Sequence, residues 1–460
     1  MSAHHVRTVP ELDFDDIQGT LLRYRPDVYY GVYMMFRIDD AEAVKRSLRT
    51  VLPKVTTAAD WESPRPFTLN IAFTYSGFEA LGVPPDSLAS FADEFREGMA
   101  ARNVVLGDVG TSDPQHWTAP LGSRDVHIGV IISAHSVEAL DEPVGVAQQL
   151  DGVTMIYQLD VGVLPTGREH FGFRDGIGNP HVIGSTNQPR PGQDEVMPGE
   201  FILGYEDELG KLPASLTPDV LARNGTYLAF RQLHEDVAAL RRFLRDNARS
   251  PQDEELLAAK MVGRWRSGAP LALSPDHDDP ELGADPQRNN DFSYYDDDRG
   301  GRRTPRGCHI RRGNPRDSLK DSIVSTNLHR VMRRAAVYGP MLADGVLEDD
   351  GADRGIVFIF MGAGLARQFE FVQQVWMNDG DFAGLGNEKD PLIGDNDGSG
   401  TFTIPAKPLR RRLSALPRFV TVRGGEYFYL PGIAALTWLT TLPATERQPH
   451  VPRSEGAHRV

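Results

Sequence analysis

Cysteine is almost absent from this chain: Cys308 is the only one among 460 residues. A single thiol excludes internal disulfide bonds and any zinc site built from several thiolates, and it does not indicate a cellular compartment. No uninterrupted apolar run approaches the roughly 18 residues that a membrane-spanning helix needs. Residues 1–7 lack an apolar stretch and a twin-arginine pair, so neither a secretory signal nor a membrane anchor is predicted. We therefore expect a cytoplasmic protein.

Positive charge is scarce as well. The chain carries 49 Lys and Arg against 64 Asp and Glu, which gives a formal net charge of −15. Such acidity argues against nucleic acid and against anionic membrane surfaces as partners. The hydrophobic content of 40% and the charged content of 25% are typical of an ordinary globular protein. A chain of 460 residues is long enough for two large domains or three small ones.

Strand-like and helix-like segments alternate in the first third of the chain. The predicted strands cover residues 29–38, 66–74, 127–133 and 153–163, and apolar residues at helical spacing follow each of the first three. This order is typical of a ferredoxin-like α+β sandwich, in which helices cover one face of an antiparallel sheet. A doubly wound parallel sheet is the alternative. The lack of a glycine-rich phosphate-binding turn after the first strand argues against it.

The second half of the chain resembles a looser copy of the first. Strands are predicted from Thr226 onward and over residues 355–362, and helices over residues 235–247 and 366–377. A hairpin is predicted over residues 419–431, because a Gly-Gly pair in its middle is a common two-residue turn. The repeated pattern suggests two similar sandwiches with a site between or beside them.

The fold predicted for the whole chain is therefore α+β, with two ferredoxin-like antiparallel halves. The N-terminal domain is assigned to residues 1–167, a connecting loop to residues 168–222, and the C-terminal domain to residues 223–460. Most of the loop is rich in Gly and Pro and has little periodicity. Loops of that length inside compact domains are usually functional or disordered.

Residues 270–303 form an acidic segment that is poor in apolar side chains. Its carboxylates at residues 276–279 and 296–298 could bind a divalent cation through oxygen ligands. A solvated insertion is the favoured interpretation of the composition.

The pattern Gly-x-x-Asp-Gly occurs at Gly172, Asp175 and Gly176, next to Phe171 and Phe173. Glycine leaves no Cβ in the way, so the backbone of this segment can approach another group closely. Asp175 is either a turn-former that bonds its own backbone or an acid/base group in a partly dry pocket. The dipeptide Asp-Gly alone favours the turn.

His309 stands in the segment CHIRRGNPR, residues 308–316, where three arginines follow an imidazole. This combination suits binding of a metal beside a dianion: haem presents iron and two propionates, and guanidinium forks match carboxylates. A basic surface loop explains the segment equally well when it is considered alone. The neighbouring Cys308 would point elsewhere in an extended segment, so it is predicted to be a small buried side chain and not a thiolate ligand.

Together with three further segments, these two resemble the dye-decolorising peroxidases, in that family's order along residues 14–440. The further segments are RRAAVYG at residues 333–339, QFEF followed by WMND within residues 368–379, and RGGEYF at residues 423–428. One Gly-x-x-Asp-Gly pattern is a weak signal, whereas five ordered segments are a strong one. The length and the long insertions are similar to the larger, fungal-like and related bacterial branches. The resemblance implies two ferredoxin-like halves of the dimeric α+β barrel type.

The resemblance also implies a cofactor and the residues around it. The cofactor is haem b, iron protoporphyrin IX, and His309 becomes the proximal ligand of its iron. Asp175 becomes the distal acid/base, and Arg333 becomes the distal cation. Where compact bacterial members place an Asn two residues after this arginine, the chain has Ala335, which leaves a heavier catalytic role to the other two residues.

Further roles follow from the same resemblance. Arg316 and, less directly, Arg311 would hold the haem propionates. Glu370 is the candidate acceptor for the ring N–H of His309, where it would raise the basicity of the imidazole. An exposed helix carboxylate is the equal alternative for Glu370.

The implied activity is oxidation of dyes and other aromatic one-electron donors by hydrogen peroxide. An unperturbed Asp titrates near ~4 and an unperturbed His near ~6.5, so an Asp base predicts an optimum on the acid side of neutrality. Tyr338 and Trp376 are candidate electron relays, although core packing is the favoured role of both.

Two functional alternatives remain at this point. One is a haem-binding or haem-iron handling protein with incidental peroxidase activity, and the other is a non-haem metalloenzyme that uses the acidic segment. The physiological reductant, manganese oxidation, encapsulation and homo-oligomerisation stay open.

Overall fold

The structure is a computed structural model that describes residues 9–23, 29–59, 65–213, 215–322 and 325–443. Residues 1–7, for which no targeting signal is predicted, lie outside the described part. Two groups of four antiparallel strands build the centre of the molecule. The first group is β1 (Tyr30–Ile38), β2 (Phe67–Phe73), β3 (Ile128–Ala134) and β4 (Val153–Gly162). The second group is β5 (Thr226–Glu235), β6 (Met332–Tyr338), β7 (Gly355–Gly362) and β8 (Val420–Leu430).

The eight strands close into a barrel in the order β1-β3-β2-β8-β5-β7-β6-β4. The first group therefore has the spatial order β4-β1-β3-β2, and the second has the order β8-β5-β7-β6. Both groups have the same topology. Single residue pairs join the two sheets, Tyr429 with Phe73 and Gly162 with Val337. The predicted fold class, two ferredoxin-like halves of an α+β barrel, is confirmed. The domain boundaries at residues 167 and 222 stay a prediction.

In the described ranges, six α-helices of seven or more residues accompany the sheets: α1 (Ala41–Val51), α2 (Tyr75–Leu81), α3 (Asp141–Gln148), α4 (Val237–Asn247), α5 (Pro251–Val262) and α6 (Ile433–Leu439). The start of α1 shows why such a helix begins where it does. The Asp40 carboxylate accepts hydrogen bonds from the backbone N–H groups of Glu42 and Ala43, at 3.0 and 3.2 Å, which satisfies two donors of the first turn. No helix in the described ranges is long and apolar enough to cross a membrane.

Shorter elements fill the connections. Two π-helical segments, Ala366–Glu370 and Val372–Asn378, replace the single helix predicted over residues 366–377. Two small strand pairs lie apart from the barrel, His181–Val182 with Glu195–Val196 and Gly400–Ile404 with Arg411–Leu416. The short α-helices are Gly19–Leu22, Pro85–Ala89, Asp93–Glu97, Asn103–Leu106, Asp219–Ala222, Pro280–Ala284, Tyr295–Asp298 and His309–Gly313.

Alternation along the strands divides the core into two layers, because successive side chains of a strand point to opposite faces. On β7, Val357 and Ile359 belong to the cluster that fills the barrel interior. Ile356, Phe358 and Phe360 point outward, toward the helices and loops outside the barrel. The outer face of the second sheet is the one that positions the candidate site.

The hairpin predicted over residues 419–431 is wrong. Residues 420–430 form one continuous strand, β8, that pairs with β5 and shifts register between Val422 and Gly424. Neither Gly424 nor Gly425 has a positive φ, which a tight two-residue hairpin turn would require. A Cβ at these glycines would collide with Leu121 and Met99, so here glycine permits close packing at a bulge.

The acidic segment 270–303 is only partly solvated. Asp298 is buried and accepts hydrogen bonds from the backbone N–H groups of Arg302 and Thr304, both at 2.7 Å. Across the described residues, no group of three or more His, Cys, Asp or Glu side chains is arranged to hold a metal ion. The alternative of a non-haem metal centre therefore has no ligand set in this part of the chain.

Candidate functional site

A cavity of about 260 Å³ lies against the outer face of the second sheet. The sheet wall is largely apolar, and its side chains come from alternate positions of β5, β7 and β8: Leu233, Ile356, Phe358, Phe360, Val420 and Val422. The covering wall comes from α5, the short helix 309–313 and the π-helical segments. Asp175, His309 and Arg333 all line this cavity, so the structure brings the three predicted central residues together.

His309 begins the short helix 309–313, directly after its N-cap residue Cys308. Its Nδ1 lies 3.0 Å from Oδ2 of Asp390, whose side chain is fully buried. The other carboxylate oxygen of Asp390 accepts the backbone N–H groups of Leu392 and Ile393, both at 2.9 Å. With Nδ1 engaged in this way, Nε2 is the ring nitrogen left for a metal.

His309 and Asp390 shift each other's pKa. Burial favours the neutral forms of both groups, but the charge and hydrogen bond of Asp390 outweigh it and raise the pKa of His309. For the same reason His309 and the surrounding N–H groups outweigh burial and lower the pKa of Asp390. Asp390 therefore remains a carboxylate that makes the imidazole more basic.

Glu370 does not occupy the place predicted for it. Its carboxylate accepts two hydrogen bonds from Arg102, at 3.0 and 2.7 Å, and one from the Tyr427 hydroxyl at 2.9 Å. The prediction that Glu370 bonds the ring of His309 is therefore wrong, and Asp390 is the partner. The alternative of an exposed carboxylate is wrong too, because Glu370 is buried.

Asp175 and Arg333 form an ion pair on the cavity wall. Arg333 belongs to β6, where alternation turns it outward while Met332 and Arg334 are buried on the other face. Asn179 holds the backbone of Arg333 from both sides, since its Oδ1 accepts the Arg333 N–H and its Nδ2 donates to the Arg333 carbonyl. The guanidinium also lies over the ring of Phe358, at 5.4 Å from the centroid.

The loop that carries Asp175 depends on its glycines. Gly172 and Gly176 have φ values of +92° and +82°, a region that L side chains rarely adopt. Gly172 also lies against Arg266, whose guanidinium donates to the Phe171 carbonyl. The segment is therefore a loop with close backbone approaches, as its pattern predicted.

The two arginines predicted to hold propionates lie in different places. Arg316 lines the cavity, although its guanidinium also donates to the carbonyls of Gly192, Asn290 and Phe292. Arg311 does not line it. Its guanidinium donates to the carbonyls of residues 298 and 304 and lies over the Tyr294 ring. The prediction for Arg311 is wrong because this side chain is directed into the acidic segment, and that for Arg316 stays a prediction.

Sequence reasoning missed two residues of the site. Arg330 is buried on the cavity wall; its terminal nitrogen donates to the Gly178 carbonyl, and its Nε lies 3.3 Å from Asp194 Oδ2. Nothing in the sequence around Arg330 separates it from other arginines. Asp390 precedes Pro391, and this predicts a turn-former that bonds N–H groups further along the chain. The sequence holds no signal for its contact with His309, 81 positions away.

The two aromatic relay candidates are both buried. Tyr338 points into the barrel interior, on the opposite face of β6 from Arg333, and its hydroxyl lies 3.2 Å from Asp353 Oδ1. Trp376 packs edge-on against His329 and Phe371. Both positions agree with core packing.

The residues present fit an iron porphyrin. The cavity combines an imidazole whose Nδ1 alone is engaged, aromatic walls at Phe358 and Phe360, and two arginines, Arg316 and Arg330, that could meet carboxylates. The ion pair of Asp175 and Arg333 lines the same cavity, with Arg333 on a strand of the sheet wall. Such a combination defines a haem site of the peroxidase class.

Comparison with known proteins agrees with this class. A family model described as the DyP dimeric alpha+beta barrel domain matches residues 16–160. A dye-decolorising peroxidase of Mycena epipterygia is 32% identical over 471 residues, covering 93% of this chain and 86% of the relative. A multifunctional dye peroxidase of an Amycolatopsis strain is 31% identical over 460 residues, covering 92% and 95%.

Solved structures agree as well. The DyP-type peroxidase of the fungus Auricularia auricula-judae superposes with a TM-score of 0.82 at 31% identity, covering 94% of this chain and 100% of that one. A dye-decolorising peroxidase in complex with 2,6-dimethoxyphenol gives a TM-score of 0.83, also at 31% identity. The chain belongs to the dye-decolorising peroxidase family and is a peroxidase.

Proposed function

We propose that this chain binds haem b and uses hydrogen peroxide to oxidise dyes and other aromatic donors, one electron at a time. The observation that carries the proposal is the shared cavity: the Asp175–Arg333 pair and the His309–Asp390 pair line the same space. The relatives named for dye oxidation support the substrate class. The solved complex with a dimethoxyphenol suggests small phenols as further donors.

His309 would hold the iron through Nε2, and Arg316 and Arg330 are the cavity-wall cations that would meet the propionates. When bound, haem would supply the redox chemistry, which is two-electron reduction of peroxide and one-electron oxidation of donors. The protein supplies proton transfer and charge stabilisation. A carboxylate within hydrogen-bond reach of peroxide can move a proton from one oxygen to the other, and Asp175 is assigned this step. Arg333 stabilises the negative charge that develops on the departing oxygen.

Two consequences follow for donors. A bulky dye does not fit a cavity that already holds a porphyrin, so it would react at an exposed edge or through a side chain at the surface. An aspartate as the proton-transfer group predicts that dye oxidation is fastest on the acid side of neutrality.

The alternative left open by the sequence, a haem-binding protein with incidental peroxidase activity, is not favoured by the relatives. Substitutions that keep haem but remove the proton-transfer pair test the roles assigned here. Asp175→Asn and Arg333→Leu should each retain the Soret absorption band and lose dye bleaching by about 100-fold or more, as loss of a general acid/base or a charge-stabilising group does elsewhere. His309→Ala should lose the Soret band itself. Bleaching at the wild-type rate in both cavity variants would contradict the roles assigned to Asp175 and Arg333.

A further inference from the structure

Two carboxyl groups on the cavity wall have no part in the reaction described so far. Glu235 is the last residue of β5, on the same face as Arg231 and Leu233, and it is buried. Its Oε2 receives no hydrogen bond from any group in the described ranges. Glu169 lines the cavity too and precedes Asp175 by six residues. The two glutamates lie close enough to share a hydrogen bond.

Glu169 organises the beginning of the loop that carries Asp175. Its Oε2 accepts the backbone N–H of Phe171 at 2.7 Å, and its Oε1 accepts that of Phe173 at 2.6 Å. The backbone of Glu169 also donates to the Phe173 carbonyl at 3.0 Å and accepts from Gly172 at 2.9 Å. One side chain therefore holds residues 169–173, two positions before Asp175, in a single conformation.

Among the described residues, no Lys, Arg or His is a charge partner of either glutamate. The third charged group near them is Asp175, which adds negative charge. Arg266 contacts the loop at the Phe171 carbonyl, but it pairs with Glu255 at 2.7 Å. Arg418, elsewhere on the cavity wall, donates to Ser112 Oγ at 2.6 Å. Two neighbouring carboxylates without a cation cannot both be ionised at low cost, so one of them keeps a proton.

Burial and neighbouring negative charge both raise the pKa of Glu169 and of Glu235. Burial, opposed by the two N–H groups of the loop, raises the pKa of Glu169 to about 7. Burial and the charge of Glu169 raise the pKa of Glu235 well above its ordinary value. Glu235 is thus the member of the pair that carries the proton and donates it to Glu169.

We propose that Glu235 is a positioning residue, which donates a shared proton to Glu169 and thereby fixes the loop that presents Asp175 to peroxide. The inference rests on the proposed function, because it assigns Asp175 its role there. A carboxyl group whose pKa is raised on folding stabilises the fold at low pH and stops doing so as pH rises through its folded pKa. Glu169 is ionised above about pH 7 and accepts the proton of Glu235. When pH rises further, through the folded pKa of Glu235, the pair loses its shared proton, the two carboxylates repel each other, and the loop loosens.

Glu235→Gln is the decisive variant, because its amide donates to Glu169 at every pH. Hydrogen exchange at the N–H groups of Phe171 and Phe173 is measured in the purified full-length protein, with and without added haem, and is corrected for the intrinsic pH dependence of exchange. Above about pH 7, where Glu169 is ionised, protection at these two positions in the wild type should fall as pH rises and Glu235 loses its proton. In Glu235→Gln it should stay constant, and the alkaline limb of the dye-oxidation profile should move upward by about one pH unit.

Glu169→Gln is the second variant, because an amide cannot accept both N–H groups. It should lose protection at Phe171 and Phe173 at every pH. Glu281→Gln, a change at an exposed position, is the matched control and should behave as the wild type. Equal loss of protection with pH in the wild type and in Glu235→Gln would overturn the proposal, and so would full protection in Glu169→Gln. Hydrogen exchange is measured in the absence of catalytic turnover, so its outcome does not depend on whether the protein oxidises dyes.

Discussion

Replacing Asp390 by Asn tests the geometry behind the predicted iron ligand. In the structure, one oxygen of Asp390 accepts two backbone N–H groups at 2.9 Å and the other lies 3.0 Å from His309 Nδ1. The Asn oxygen would keep the backbone N–H groups, which leaves its NH₂ group facing Nδ1. Two donors then meet, unless the imidazole moves its proton to Nε2, the atom that is needed for iron.

The expected loss can be given a size. Removing the carboxylate partner of a metal-bound histidine typically costs 10- to 100-fold in metal affinity or activity, which corresponds to about 1.4–2.7 kcal/mol. The buried position of Asp390 places the effect toward the upper end, because no solvent can substitute for the missing acceptor. We therefore expect haem to bind about 100-fold more weakly to Asp390→Asn than to the wild type.

The measurement is a haem titration of the apoprotein, followed at the Soret band, together with thermal unfolding of each apoprotein. Glu370→Gln is the matched control, since Glu370 is equally buried but bonds Arg102 and Tyr427. It should lower thermal stability and leave haem affinity unchanged. Wild-type haem affinity in Asp390→Asn, or an equal loss in both variants, would refute the assignment of Asp390 as the partner of His309.

Two further outcomes can be measured without the cofactor. Asp108 and Arg231 form a buried pair with two hydrogen bonds of 2.6 Å; Asp108→Ala leaves the guanidinium unpaired and should lower the free energy of unfolding by about 3–5 kcal/mol. Urea denaturation reports this change, and a loss below about 1 kcal/mol would mean that water reaches Arg231. Burial raises the pKa of the Cys308 thiol to about 12, and the thiolate is the reactive form. Iodoacetamide at pH 8 should therefore label Cys308 only after unfolding, and rapid labelling of the folded protein would contradict the buried position.

Local patterns predicted most elements, because they depend on residues that are close together in sequence. The run of apolar and β-branched residues in Gly355–Gly362 predicted β7 with its observed ends. The glycine pair in β8 failed as a turn signal because its reason is tertiary: Leu121 and Met99 leave no room for a side chain. Local spacing cannot reveal a neighbour that comes from another segment.

The same limit explains the outcome at the site. His309, Asp175 and Arg333 were predicted through family segments, and the structure brings them to one cavity. The partner of His309 was sought in the conspicuous QFEF segment, whereas the structure uses Asp390, a residue in an ordinary Asp-Pro turn. Which carboxylate reaches the imidazole depends on how Arg312 ties its helix to the carbonyls of residues 376 and 388, and that contact is invisible in the sequence.

Comparison of the two sheets shows why only one outer face holds the site. The outer face of the first sheet presents a continuous apolar layer that packs against its helices: Val32, Met34, Phe36, Leu69, Ile71, Phe73, Ile128, Val130 and Ile132. At the outer face of the second sheet, Arg231, Glu235 and Arg333 interrupt that layer. Polar and charged groups cannot be covered by apolar helices without a large desolvation cost. The covering elements therefore lie further from the second sheet and leave a cavity. Strand order is the same in both halves, so topology does not distinguish them. The polarity of the outward positions does, and the sequence contains it once the strands of the two halves are aligned. The half with polar outward positions holds the site, and the half with apolar ones only packs against its helices.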